Sequence, residues 1–118
     1  MGLVRVANNV SVQSNTLPLT SLPIKMDGAN AVSVDVTVLG IVTGGSNLQV
    51  TIQGSNDLEN WFTTGISGTN PLVVANTVGT IAVQNYTTIG YAYVRLVYTF
   101  AGTAASMVCA INANTYLA

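Results

Sequence analysis

Catalysis at neutral pH needs a base, a nucleophile or a metal ligand, and few side chains here can serve. The sequence contains no histidine, so serine and cysteine nucleophiles lack their usual activating base and the commonest metal ligand is missing. The single cysteine, Cys109, lies in an alternating apolar run and is expected to be a buried, unreactive thiol. The carboxylates are Asp27, Asp35, Asp57 and Glu59. Asp57 and Glu59 could be drawn as a glycosidase pair, but they stand among Ser55, Asn56 and Asn60, which build tight turns, and the turn reading is favoured. Asp27-Gly28-Ala29-Asn30 and Asn56-Asp57-Leu58-Glu59 offer hard oxygens to calcium. That ion takes about six to eight, and neither stretch has the spaced acidic pattern of a dedicated loop. The sequons Asn9-Val10-Ser11 and Asn85-Tyr86-Thr87 read as chance matches in a chain rich in Asn, Ser and Thr. The expectation is a non-enzymatic chain with no catalytic residue, no metal and no cofactor.

Binding chemistry is better represented. Tyr91, Tyr93 and Arg95 alternate with Ala92, Val94 and Leu96, so if the apolar set points inward the tyrosines and the arginine form an outward stripe. Tyr and Arg dominate binding hot spots. The stripe is read first as a subunit contact, second as local packing under a neighbouring strand or loop, and third as a surface for stacking sugars. Trp61 follows the turn Gly54-Ser55-Asn56-Asp57 and is the remaining candidate interface residue. Its plainer role is architectural, folding back onto the end of the sandwich as an apolar anchor.

The charge deficit points toward association. Three basic and four acidic side chains make 6% of the 118 residues, against about 25% in an ordinary soluble domain. The net charge is −1, 49% of residues are hydrophobic, and the mean hydropathy is +0.51. Amides and hydroxyls must therefore supply most of the polar surface, and they pair across an interface without the large penalty of buried ions. Much of the surface is expected to be covered in a homo-oligomer or by other proteins of one assembly; a soluble, polar-uncharged monomer is the plainer alternative. Arg5, Lys25 and Arg95 are too few for a nucleic-acid footprint or for docking to anionic lipid. No apolar run approaches the length of a membrane-spanning helix, and Met1-Gly2-Leu3-Val4-Arg5-Val6 does not read as a secretory leader. Cytoplasmic synthesis is the expectation.

Strands must position these residues, because Val and Thr dominate and no segment shows helical periodicity. Val32, Val34, Val36 and Val38 share one face of a strand from Ala31 to about Val42. Thr43-Gly44-Gly45-Ser46-Asn47 supplies a turn, and Leu48, Val50 and Ile52 line the next strand; an antiparallel hairpin is expected. A second hairpin is expected to join Ala92–Phe100 to a return strand bearing Ala105, Met107, Cys109 and Ile111. Further strands are expected at Leu3–Ala7, Val10–Gln13, Leu22–Met26, Trp61–Thr64, Leu72–Ala75 and Gly79–Gln84. This amounts to one all-β domain over residues 1–118: a two-sheet antiparallel sandwich, jelly-roll-like, of about eight to ten strands. Residues 1–30 are expected to include a partly extended arm able to reach a neighbouring subunit.

The segment Val50-Thr51-Ile52-Gln53-Gly54-Ser55-Asn56-Asp57-Leu58-Glu59-Asn60-Trp61, followed by Tyr93-Val94-Arg95-Leu96, resembles small β-sandwich structural proteins of tailed bacteriophages, of the capsid-decoration and minor-virion type. The resemblance spans roughly Ala31 to Ala113. It implies a non-enzymatic protein, made in the host cytoplasm, that oligomerises and binds a capsid or tail lattice through its surfaces. Similar turns occur in jelly-roll carbohydrate-binding modules, which is the alternative function. A subunit of a non-viral filament or surface layer is the second alternative, since few charges guard the strand edges.

Overall fold

Alternating valines build this molecule. In the computed structural model, which describes residues 3–13, 19–43, 47–75, 77–100 and 106–118, Val32, Val34, Val36 and Val38 are at most 1% exposed. Ser33, Asp35 and Thr37 between them are partly open. The same period of two buries Leu48, Val50 and Ile52 on a second strand and Val94, Leu96 and Tyr98 on a third. Each buried aliphatic side chain of this kind stabilises the fold by roughly 1.5–3 kcal/mol relative to exposure.

Nine strands result among the described residues: β1 (Leu3–Gln13), β2 (Leu19–Thr20), β3 (Ile24–Lys25), β4 (Ala31–Thr43), β5 (Leu48–Ser55), β6 (Leu72–Val74), β7 (Ile81–Tyr86), β8 (Tyr93–Phe100) and β9 (Ser106–Tyr116). One sheet has the order β1-β9-β4-β7; the other has β2-β8-β5-β6, with β3 also on β8. Every strand pairing among the described residues is antiparallel. Apart from β2–β3 and β5–β6, each step along the chain changes sheet. That is the double Greek-key winding of a jelly roll, so the expected all-β sandwich of this type is the one observed.

Both expected hairpins are corrected. β4 pairs with β7 and β9, and β5 with β6 and β8, so the two strands face each other across the core instead of lying side by side. β8 and β9 likewise belong to different sheets. Alternation dictates which face of a strand is buried; it does not dictate which strand lies beside it. The turn residues 44–46 and 101–105 lie outside the described residues.

Smaller differences have local causes. Leu3–Ala7 and Val10–Gln13 join into the single strand β1, with register shifts between Arg5 and Ala7 and between Ala7 and Val10. Conversely, the expected strand at Leu22–Met26 is interrupted. Ser21 N donates to Leu96 O at 2.8 Å and Ser21 Oγ accepts from Leu96 N at 2.9 Å, so this one residue occupies both ladder positions. The chain then swings out, with Leu22 86% exposed, before Ile24 rejoins opposite Val94. Trp61–Thr64 is not a strand either: only Phe62 bridges, to Gly54.

Candidate functional site

The β5–β6 connection, residues 56–71, organises the most chemically distinctive part of the surface. It starts with a turn tied to its own side chains. Ser55 Oγ accepts from Asp57 N (3.2 Å) and Leu58 N (2.9 Å) while donating to Asp57 Oδ1 (3.0 Å). Asp57 Oδ1 in turn accepts from Glu59 N and Asn60 N, each at 2.9 Å, and Oδ2 accepts from Asn60 Nδ2 at 2.8 Å. The backbone donors of Asn60 and Glu59, then the Asn60 and Ser55 side chains, hold the Asp57 carboxyl well below the usual carboxylate range, because each stabilises the charged form. These are the bonds of a turn, as expected, and they leave neither Asp57 nor Glu59 arranged as an acid/base pair. Asn56 Oδ1 accepts from Ala92 N at 2.9 Å and fastens the turn to the start of β8.

The turn delivers Trp61 and Phe62 onto sheet β2-β8-β5-β6. Phe62 exchanges backbone bonds of 2.8 and 2.9 Å with Gly54. Its ring stacks on Tyr91, with centroids 6.2 Å apart and planes 14° from parallel. Gly54 is needed there: a Cβ would overlap the Tyr91 ring. Tyr91 Oη donates to Thr64 O at 2.7 Å. Trp61 lies against Arg95, whose guanidinium carbon is 4.2 Å from the indole centroid, and Arg95 Nε donates to Gln53 Oε1 at 2.8 Å. A stack of this kind is worth roughly 0.5–1 kcal/mol at an exposed site; its larger effect is to fix the guanidinium plane.

Of the four candidate residues, Trp61 and Arg95 are therefore brought into direct contact. Tyr93 stands two residues from Arg95 on the same outer face of β8, opposite Ser55 on β5 and Lys25 on β3. Tyr91 departs from the stripe: it precedes β8 and packs against the end of the core. Gln53, Phe62 and Lys25 complete this surface and were not singled out in the sequence. The regular spacing Gln53-Gly54 against Val94-Arg95 would have revealed Gln53 only once the pairing of β5 with β8 was known. Neither Arg95 nor Lys25 has an ion-pair partner among the described residues.

Beside this face lies an open cleft of ≈ 490 Å³, where the β3–β4 turn meets the approach to β8; its lining includes Lys25, Asp27, Asn30, Asn56, Tyr91 and Tyr93. The opposite sheet carries a different surface. Asp35 accepts from Asn112 Nδ2 at 2.9 Å and lies in register with Val83, while Thr37 lies in register with Ile81. Leu39, Val78, Ile81 and Val83 are 46%, 58%, 67% and 59% exposed. Among the described residues, no group of three or more Cys, Asp or Glu side chains could hold a metal ion. Cys109 is fully buried, and burial pushes its thiol up to about 11, which makes it a poor nucleophile. No protein-family model matches the sequence, and no curated protein or solved structure matches it either.

Proposed function

We propose that this chain is a non-enzymatic structural protein that self-assembles, as a bacteriophage virion component of the capsid-decoration, cement or minor-structural kind. The observation that carries the reading is the exposed apolar group Leu39, Val78, Ile81 and Val83 along the β4–β7 rim, in a chain with 6% charged residues. Contiguous exposed apolar side chains mark association surfaces, and so few charges oppose desolvation of their surroundings. Jelly rolls serve in viral capsids and in lectins alike, so the topology is compatible with the reading without selecting it. The virion assignment itself leans on the resemblance of the Val50–Trp61 turn and the Tyr93–Leu96 strand to phage structural proteins. The test is absolute mass in solution across a concentration series, by light scattering after size exclusion, for the wild-type chain and for Ile81→Asp with Val83→Asp. A defined oligomer or large particles for the wild type, shifted toward monomer by the paired substitution, supports self-assembly. A 12.2 kDa species at every concentration refutes it.

A carbohydrate-binding reading is favoured by one observation, the open cleft with Tyr91 and Tyr93 beside the amides of Asn30 and Asn56. Aromatic faces and amides are suited to sugar rings, although one face of Trp61 is already covered by Arg95. Chemical-shift changes of the cleft residues on adding neutral mono- and oligosaccharides would favour this reading; unchanged spectra would remove it.

A further inference from the structure

We infer that two copies of this chain join edge to edge, β7 of one pairing antiparallel with β7 of the other about a two-fold axis at Ala82; this rests on the self-assembly reading above and specifies its contact. β7 is the last strand of its sheet, with β4 on one side and no strand on the other among the described residues. Its backbone groups divide by parity, because antiparallel strands bond through alternate residues. Val38 N donates to Thr80 O at 2.9 Å, and the register from Thr37 opposite Ile81 to Val32 opposite Tyr86 turns Ala82, Gln84 and Tyr86 toward β4 as well. The N–H and C=O of Ile81, Val83 and Asn85 therefore point to the open side. Thr87, of the same parity, shows where that side is: it exchanges bonds of 2.9 and 3.0 Å with Ser67.

The molecule closes this edge only in part. Ser67 occupies it at Thr87, and Gln84 Nε2 donates to Asn85 O at 3.0 Å. Beyond them, the outward N–H and C=O of Ile81 and Val83 have no partner among the described residues. Two donors and two acceptors so spaced match a second copy of themselves in one antiparallel register. With Ala82 on the axis, Ile81 of each copy meets Val83 of the other, and the two pairs exchange four N–H···O bonds. A register centred on Val83 would need Asn85 O, and one centred on Ile81 would need Gly79 N, which already donates to Val38 O at 2.9 Å. The side chains suit the same arrangement. Ile81 and Val83, 67% and 59% exposed, stand directly opposite one another on the outer face, an apolar β-branched pair made twice. No charged residue lies between Glu59 and Arg95, so β7 lacks the charges that commonly blunt an edge. Asp35, opposite Val83 on β4, lies three strand spacings, roughly 14 Å, from its equivalent, beyond the screening length of about 10 Å at ~0.1 M salt. The product is one sheet continuous through both copies, joined mainly by main-chain bonds.

Proline at the edge separates main-chain pairing from side-chain contact. Val83→Pro removes one outward donor, leaves the β4 ladder intact and keeps an apolar residue, and edge strands accept proline. Light-scattering mass over a concentration series is compared for wild type, Val83→Pro and the paired Ile81→Asp with Val83→Asp, with circular dichroism confirming that each is folded. Val83→Pro is expected to raise the dissociation constant at least about tenfold. Amide hydrogen exchange of the wild type, read by NMR, gives a second measurement that needs no variant. The Ile81 and Val83 amides should exchange freely in dilute solution and at least about tenfold more slowly once the mass has risen, whereas Ala82 and Gln84 are protected throughout. Val83→Pro that assembles like wild type, while the paired aspartates abolish assembly, overturns the inference and leaves self-assembly through side chains standing. Exchange at Ile81 and Val83 that ignores concentration while the mass rises overturns it too, and decides the matter if Val83→Pro does not fold. Protection of both amides in a monomeric sample would mean that the chain covers its own edge, again overturning it. A wild-type chain that is monomeric throughout, with both amides exchanging freely, sinks both readings together and leaves the edge to a strand from another protein.

Discussion

Asp57 accepts bonds from two backbone amides and two side chains while standing fully in solvent. Its folded pKa is depressed below the ordinary 3.8, so the stabilisation it contributes is complete above that value and is lost as pH falls through the folded one. Denaturation midpoints of wild type and Asp57→Asn, compared between neutral pH and about pH 2, should therefore converge on the acid side; parallel curves would contradict this. Its neighbour Leu58 adopts φ 64°, a left-handed conformation that costs a non-glycine residue roughly 1–2 kcal/mol. Asn tolerates it better, and Leu58 is 46% exposed, so little burial is lost. Leu58→Asn should raise stability by about 0.5–1 kcal/mol in chemical denaturation. In the core, Tyr98 is 4% exposed and its Oη has no hydrogen-bond partner among the described residues. Burial pushes this phenol well above its usual range, the nearby Ser21 hydroxyl opposing the shift. Since an unpaired buried hydroxyl costs about 1–3 kcal/mol, Tyr98→Phe should be neutral or stabilising by about 1 kcal/mol. A loss larger than that would mean the hydroxyl has a partner in solution.

At the scale of elements, the segment 56–71 guards the open side of β5. β6 pairs only with Leu48–Val50; beyond it, Asn70 substitutes for a strand, its amide accepting from Ile52 N and donating to Ile52 O, both at 3.0 Å. Phe62 then covers Gly54. Unpaired edges template further pairing, so Asn70→Ala should cost about 1–2 kcal/mol of stability and increase aggregation on heating, read by turbidity. The sequence reveals strands far better than it reveals such devices. Val32 to Val38 announce a buried face by their period, and the shared outer face of Tyr93 and Arg95 follows from the same alternation. What Trp61 touches depends on the path of the intervening chain. That path turns on a left-handed Leu58 and a glycine under a tyrosine ring, which no periodicity reports. The hairpins failed for a related reason: strands joined by a short connection can be neighbours in a sheet or opposites across a core, and the apolar pattern is the same.

For the whole molecule, winding of this kind sets the kinetics. β1 pairs with β9, placing Leu3 opposite Asn114, and β2 pairs with β8. Both ladders close only after nearly the full chain has been organised, so loop entropy precedes their reward. Refolding from denaturant should accordingly take milliseconds to seconds by stopped-flow Trp61 fluorescence. Microsecond refolding would show that a more local structure forms first. The self-assembly reading belongs at this scale too, because the exposed apolar side chains that carry it come from β4 (Leu39), β7 (Ile81 and Val83) and the turn before β7 (Val78), and no single element contains them all.

The β1–β9 pairing also has a mechanical meaning. Leu3 and Asn114 sit side by side at one end of an antiparallel ladder. Tension applied between Leu3 and the final residue Ala118 would therefore load the hydrogen bonds one rung after another, as a zipper is loaded, rather than all at once in shear. Pulled at these two points, the β1–β9 ladder is loaded in the direction in which its bonds part singly.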